Sequence, residues 1–310
     1  MVELGPLRTR PDARPRVWGG DRLGLGSGMG EVWVAHDGSC LRGRGETLGD
    51  LTATWGRRLV GRRGVRRAHH RFPLLVKLLD TQDWLSIQVH PDDENARHLA
   101  GDEAVGKAEA WHIVQTAGAT ARVIAGLLPG VTAETLAGAI GTVAMESLVR
   151  YVEVVPGDTV YSQPGLIHAL GPGILLYEVQ QSSDLTYRLW DWGRPEGAGR
   201  ALHHVESLRS TVPDAAPMIT PWESAPLGRG TLTRCPHFML EQVGPEPTVL
   251  SGAGETCLIV TLVQGSAVLR AEASETFLER YETVVIPAEC PPMSLEGRGK
   301  AYRALVATLP

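Results

Sequence analysis

Short apolar runs rich in β-branched residues recur along the chain and are cut by glycine and proline, which number 36 and 21. Phe72 to Leu79, Leu85 to His90, Val152 to Val155, Thr159 to Tyr161, Ile174 to Val179, Cys257 to Val263 and Thr283 to Ile286 are all of strand length. Many short strands between turn residues predict an all-β sandwich or barrel with added helices. Helical periodicity is rarer. Thr132 stands as a cap before an apolar periodic stretch and predicts a helix over 132–149. Pro91 to Ala104 predicts a second, shorter helix, with Asp92, Asp93 and Glu94 at the end where the helix dipole favours negative charge. A proline-rich connection over 211–228 interrupts the pattern before strand-like runs resume. It divides the chain into expected domains of 1–215, carrying the 132–149 helical insertion, and 216–310.

Composition narrows the class. With 310 residues, 43% hydrophobic, 21% charged and a formal charge of -5, the chain is ordinary globular material. Disordered, collagen-like and coiled-coil readings are thereby disfavoured. Cys40, Cys235, Cys257 and Cys290 are scattered without framework spacing, which suits a reducing compartment. Met1 to Gly20 has no apolar core, so no secretory signal is expected. The run Cys257 to Leu269 is broken by polar residues and falls short of the roughly 20 residues that a membrane span needs. A cytoplasmic protein without a membrane partner is the expectation. Arg57, Arg58, Arg62, Arg63, Arg66, Arg67, His69, His70 and Arg71 form a basic stretch without a stacking aromatic, and read as a solvated surface segment rather than a nucleic-acid patch. Of the 30 basic residues only Lys77, Lys107 and Lys300 are lysine. A compact ammonium shifts its pKa more readily than a guanidinium, so each raises a question of chemistry.

Three segments carry that chemistry. In Trp84-Leu-Ser-Ile-Gln-Val-His90, alternation groups Leu85, Ile87 and Val89 on one face and Ser86, Gln88 and His90 on the other. The polar face either meets solvent or lines a barrel interior, where Gln88 and His90 would project together as a metal site requires. In Gly106-Lys-Ala-Glu-Ala-Trp111, Lys107, Glu109 and Trp111 share a face opposite Ala108 and Ala110. The charged face is either a surface ion pair or a cavity wall. His168 is followed by Gly171-Pro-Gly173 and the run Ile174 to Gln181. The turn predicts a hairpin that returns Glu178 close to His168 across the strand pair.

These segments, with Leu74-Leu-Val-Lys-Leu-Leu-Asp80, Glu178-Val-Gln-Gln-Ser-Ser-Asp-Leu-Thr-Tyr-Arg188, Trp18-Gly-Gly20 and Gly30-Glu-Val-Trp33, resemble the type I mannose-6-phosphate isomerase family. Its members are zinc enzymes of the cupin superfamily that interconvert mannose 6-phosphate and fructose 6-phosphate. The resemblance runs over most of the chain. It implies a mainly β fold of two cupin-like β-barrels, or jelly rolls, with a few added helices, the C-terminal one metal-free. It implies one Zn2+ per chain held by Gln88, His90, Glu109 and His168. Lys107 and Arg188 would lie in the substrate cavity, with Glu178 matching an acidic residue of the same pocket. Two departures stand out: Gln163 occupies the place of the family's proline before the last ligand, the proline having moved to Pro164, and Ala108 stands where the family prefers threonine.

The chemistry is consistent with those residue types. Moving a proton between adjacent carbons through an enediol needs positive charge at the carbonyl oxygen and a base at the carbon. Arg188 suits a phosphate or sugar oxygen, Lys107 an anchor or proton donor, and Ser86 a phosphate or hydroxyl contact, or else ordinary interior hydrogen bonding. Glu178, Lys107 or a zinc-bound water are open choices for the base. The expected partner is a phosphorylated hexose, and the expected state a monomer or homodimer. Two alternatives compete. A cupin iron dioxygenase would want two histidines, one carboxylate and an apolar pocket. A non-catalytic sugar-binding or regulatory cupin would keep the ligands and lose Lys107 and Arg188.

Overall fold

A computed structural model describes residues 4–67, 71–195, 200–221, 228–272, 274–299 and 301–310. The chain forms two compact units, one of Met1–Asp12, Trp33–Lys77 and Glu223–Pro310, the other of Ala13–Val32 and Leu78–Trp222. Residues 1–12 and 33–77, N-terminal in sequence, therefore sit with the C-terminal segment. His69 and His70 of the basic stretch lie outside the described residues, while Arg62, Arg66, Arg67 and Arg71 are exposed.

In the unit holding the C-terminal segment, one sheet runs Leu7–Arg8, Thr283–Ile286, Leu258–Gln264, Arg303–Thr308, Met239–Val243, Gly230–Arg234. The other runs Thr248–Leu250, Met293–Gly297, Ala267–Ala271, Ser274–Leu278. Alternate residues such as Leu258, Val260 and Leu262 meet Leu269, Leu278 and Leu295 in one apolar cluster. That interior is hydrocarbon; His237 sits outside it, on the turn between Gly230–Arg234 and Met239–Val243.

The second unit carries the polar motifs. Its smaller sheet runs Tyr187–Trp190, Ile87–Val89, His168–Leu170, Ala121–Leu127, Val149–Val154. Facing it, in a larger sheet of seven strands, lie strands ordered Met218–Thr220, Thr159–Ser162, Glu109–Thr116, Ile174–Gln181. Trp111, Ile113, Ile174 and Leu176 from the larger sheet pack on Val123, Ala125 and Leu170 from the smaller, closing one end of the interior. The mainly β architecture with a few short helices is as expected from the strand pattern.

Several local expectations change. The 132–149 helix is a short α-helix, Ala133–Ala139, capped by Thr132, then a 3-10 turn, Val143–Ser147. Gly141 lies between them with φ +80°, left-handed backbone that an α-helix does not contain. The second helix spans Asp93–Ala100, with the Asp92 carboxylate accepting from the Asn95 N–H. Two unexpected helices, Leu48–Trp55 and Arg57–Val65, follow a capping box in which Thr47 and Asp50 satisfy each other's backbone N–H groups. The hairpin at Gly171–Gly173 is also corrected. His168–Leu170 pairs with Ile87–Val89 and Ala121–Leu127, whereas Ile174–Gln181 pairs with Glu109–Thr116. The turn hands the chain from one sheet to the other, so Glu178 pairs directly opposite Trp111 and not across a strand pair with His168.

Candidate active site

The inward-facing residues follow from what their neighbours bury. Ile87 and Val89 pack outward against Leu136, Ala139 and Met145 of the helical segment, which turns Gln88 to the interior between them. His168 is the direct cross-strand partner of Gln88, and Arg188 is its partner on the other side. From the facing sheet, Glu109 shares its face with Trp111, whose indole N–H donates to Glu109 Oε1 at 3.1 Å. Ser86, His90, Lys107, Glu109, His168 and Glu178 are all buried, so the polar faces line an interior rather than meet water.

One ligand atom from each of His90, Glu109 and His168 lies within 4.8 Å of the others. His90 Nε2 is 3.2 Å from Glu109 Oε2, and His168 Nε2 is 3.3 Å from Glu109 Oε1. Gln88 Nε2 stands 3.3 Å from His168 Nε2, and a half-turn of the amide brings Oε1 to that place. The Lys107 ammonium reaches His90 Nε2 at 3.1 Å and Glu109 Oε2 at 3.4 Å. The turn before His168 is tied to the other histidine: Gly165, at φ +88°, donates its N–H to the His90 carbonyl at 2.9 Å. The glycine survives the moved proline because a side chain there would be strained as well as pressed on Val212.

The segment carrying Lys107 and Glu109 is held by groups that sequence reasoning passed over. Gln181 Oε1 accepts from Ala108 N–H at 2.9 Å, and its amide donates to Asp93 Oδ1 at 3.0 Å. Asp93 Oδ1 also accepts from Gly106 N–H at 2.8 Å. Asp191, Arg194 and Arg200, joined to Ser86 Oγ through Arg200 Nη2 at 2.8 Å, were likewise missed. Nothing in the local pattern distinguishes those arginines from the rest of an arginine-rich chain.

Electrostatics argue that this cluster fits a cation. His168 Nδ1 lies 2.9 Å from the Leu166 carbonyl oxygen, which can only accept, so Nδ1 carries the ring proton and Nε2 presents a lone pair. Burial holds the His168 pKa below its ordinary value, so no second proton comes between Nε2 and the carboxylate. Burial, with the adjacent Lys107 ammonium, pushes His90 down to about 3, leaving it neutral as well. Burial by itself would raise Glu109, yet the Lys107 ammonium beside it holds it well below the usual carboxylate range. Glu109 Oε2 is buried with no hydrogen bond. Acceptors thus face one another across gaps of 3.2 and 3.3 Å with no proton between them. Ligands bonded at about 2.0–2.1 Å to a tetrahedral zinc stand about 3.3–3.4 Å apart. Two neutral imidazoles, one carboxylate and an amide oxygen therefore fit such an ion in type and spacing.

Comparisons with known proteins agree with this chemistry. Residues 25–121, which include Gln88, His90, Lys107 and Glu109, match the family model for phosphomannose isomerase type I, catalytic domain. A mannose-6-phosphate isomerase of Streptococcus mutans is 30% identical over 300 residues, covering 91% of this chain and 92% of the relative. The crystal structure of the mannose 6-phosphate isomerase from Bacillus subtilis superposes with a TM-score of 0.80 at 25% identity, covering 97% of this chain and 99% of that one. A mannose 6-phosphate isomerase structure bound with zinc and yttrium gives 0.74 at 16% identity, covering 97% and 98% of the two chains; that likeness shows the fold.

Proposed function

The chain belongs to the type I phosphomannose isomerase family, an aldose–ketose isomerase family, and we propose that its buried cluster holds one zinc ion beside a pocket for mannose 6-phosphate and fructose 6-phosphate. The observation that carries this is the pairing of unprotonated His168 Nε2 with Glu109 Oε1 at 3.3 Å inside a buried ring of donors. His90, Glu109, His168 and, after the amide turn, Gln88 would be the ligands. A bound zinc with a single anionic ligand keeps net positive charge and supplies Lewis acidity near the sugar carbonyl.

The protein's own groups do the rest. The Lys107 ammonium is fixed at the edge of the cluster, where it can donate to the oxygen on which charge develops as the proton leaves the neighbouring carbon. Glu178 lies on the same face as Trp111 and is buried, which suits a base that carries the proton between the two carbons of an enediol. Arg188 Nε is buried without a hydrogen-bond partner, an available guanidinium for the phosphate. Ser86, at the other side of Gln88, is a hydroxyl contact for the same end of the sugar. A phosphorylated hexose is a charged metabolite, so action in the cytoplasm is part of this reading. Among the described residues no helix is long and apolar enough to cross a membrane.

The test is to measure metal content and follow conversion of mannose 6-phosphate to fructose 6-phosphate before and after chelation. Zinc near one equivalent and activity lost with it are expected. In the same assay Arg188→Ala should abolish turnover while leaving the metal in place. Full activity in the metal-free protein, or wild-type activity in that variant, would overturn the assignment.

A further inference from the structure

The strand Tyr187–Trp190 is an edge of the smaller sheet, paired on one side with Ile87–Val89. Backbone groups that point outward from an edge strand need a partner or water. At Arg188 a single residue supplies both partners. The Arg188 N–H donates to His203 Nδ1 at 3.1 Å, and the His203 N–H donates back to the Arg188 carbonyl at 2.9 Å. With both of its backbone groups turned to His203, Arg188 meets Gln88 as a non-hydrogen-bonded pair, the arrangement that brings facing side chains closer. His203 occupies the N-cap of the helix His204–Ser210, where a serine, threonine, aspartate or asparagine side chain would close the first turn. Its ring makes no cap bond and turns back to the strand instead, 5.7 Å from the Tyr187 ring. A backbone N–H can only donate, so Nδ1 offers a lone pair and the ring proton sits on Nε2. Charges act on the ring from both elements. Burial and the Arg188 guanidinium on the strand oppose a second ring proton, Glu206 on the helix favours one, and the balance holds His203 below its ordinary value. The Tyr187 phenol, pushed up by burial and by Glu206, stays neutral. At neutral pH the acceptor is therefore in place.

We propose that His203 is a positioning residue: its neutral ring locks the Arg188 backbone in the place from which the side chain reaches the substrate, and a proton on Nδ1 releases that lock. The inference rests on the isomerase reading above, in which Arg188 touches the substrate. A proton on Nδ1 sets one N–H against another and puts a cation beside a guanidinium. The ring must then leave the strand edge, and Arg188 keeps only the bond from its carbonyl to the His203 N–H. Because the neutral ring is the acceptor, the lock is complete above the lowered pKa and is lost as pH falls through it. Substrate affinity should weaken on the acid side only. Nothing in the strand pattern marks His203, since its partner lies 15 residues earlier in the chain.

The test compares zinc-loaded wild type, His203→Asn and His203→Phe, measuring KM and kcat for mannose 6-phosphate across the range in which histidine titrates, with metal content and circular dichroism checked at each pH. Asparagine puts Oδ1 where Nδ1 stands and does not titrate; phenylalanine keeps a ring against Tyr187 and offers no acceptor. At neutral pH His203→Phe should raise KM about 3- to 10-fold, the range for one neutral hydrogen bond, with kcat changed less. His203→Asn should restore most of that affinity. Below about pH 6 the wild-type KM should climb relative to that of His203→Asn; the phosphate of the substrate, with its own pKa of about 6, titrates in both and cancels from the ratio. Exchange of the Arg188 amide proton, read by NMR without substrate, should quicken in His203→Phe, and in wild type at acid pH relative to His203→Asn. A KM ratio that stays flat with pH overturns the release step, and wild-type KM with wild-type Arg188 exchange in His203→Phe overturns the lock. Should the phenylalanine variant not fold, the comparison of wild type with His203→Asn decides by itself. If wild type does not isomerise mannose 6-phosphate, the isomerase reading fails, and Arg188 exchange still decides whether His203 holds the strand.

Discussion

Lys107→Met separates the two states of the cluster. In the metal-free protein the Lys107 ammonium is the cation that faces Glu109, 3.4 Å away, and both side chains are almost fully buried. At that distance and an effective dielectric of about 20 their attraction is about 5 kcal/mol. Replacing the ammonium by a thioether of similar length leaves the carboxylate between two neutral imidazoles. Removing one partner of a buried pair costs about 3–5 kcal/mol, in line with that figure. For a chain or unit of this size such a loss lowers Tm by about 5–15 °C. With zinc bound, the ion faces Glu109 in place of the ammonium, so the same substitution should cost far less. Differential scanning calorimetry of wild type and Lys107→Met, each with chelator and with saturating zinc, reads the difference directly. A large drop in the chelated pair and a drop of under about 2 °C in the zinc pair are expected. Equal drops under both conditions, or none under either, would show that Lys107 does not compensate Glu109 and would refute the electrostatic account of the site.

Two further outcomes follow from the same contacts. His168→Ala removes a ligand whose other nitrogen is oriented by the Leu166 carbonyl, so zinc affinity should fall at least about 100-fold; retention of one zinc per chain after dialysis would take His168 out of the ligand set. Gln181→Ala strips the Ala108 N–H of its buried acceptor and Asp93 of a donor, at a cost of about 1–3 kcal/mol, and loosens the segment that carries Lys107 and Glu109. Urea unfolding gives the first number and kcat the second effect, and a variant of unchanged stability and kcat would show that the clamp is dispensable.

The local pattern settled which residues share a face. Alternation around Ser86, Gln88 and His90, and around Lys107, Glu109 and Trp111, is a property of extended backbone, and it needs no knowledge of the neighbouring strand. The Thr132 cap was legible for the same reason: it acts on an N–H group three residues away. Even so, the capping box at Thr47 and Asp50 went unread, because the helix behind it is short, arginine-rich and weakly periodic.

What alternation leaves open is partnership. The Gly171–Gly173 turn looks like a hairpin from sequence, and only the strand pairing makes Gln88, and not a residue of Ile174–Gln181, the cross-strand partner of His168. Whether a polar face meets water or an interior depends on what covers the opposite face, here Leu136, Ala139 and Met145 from a segment far along the chain. The contacts of Arg200 are the most extreme case. Its meaning comes from Ser86 and Asp191 beside it and from a donor left without an acceptor, and neither has any trace in the order of amino acids. Sequence sets the chemical alphabet and the local period; the long-range closure of strands, which costs chain entropy and is rewarded only by the finished packing, decides which letters meet.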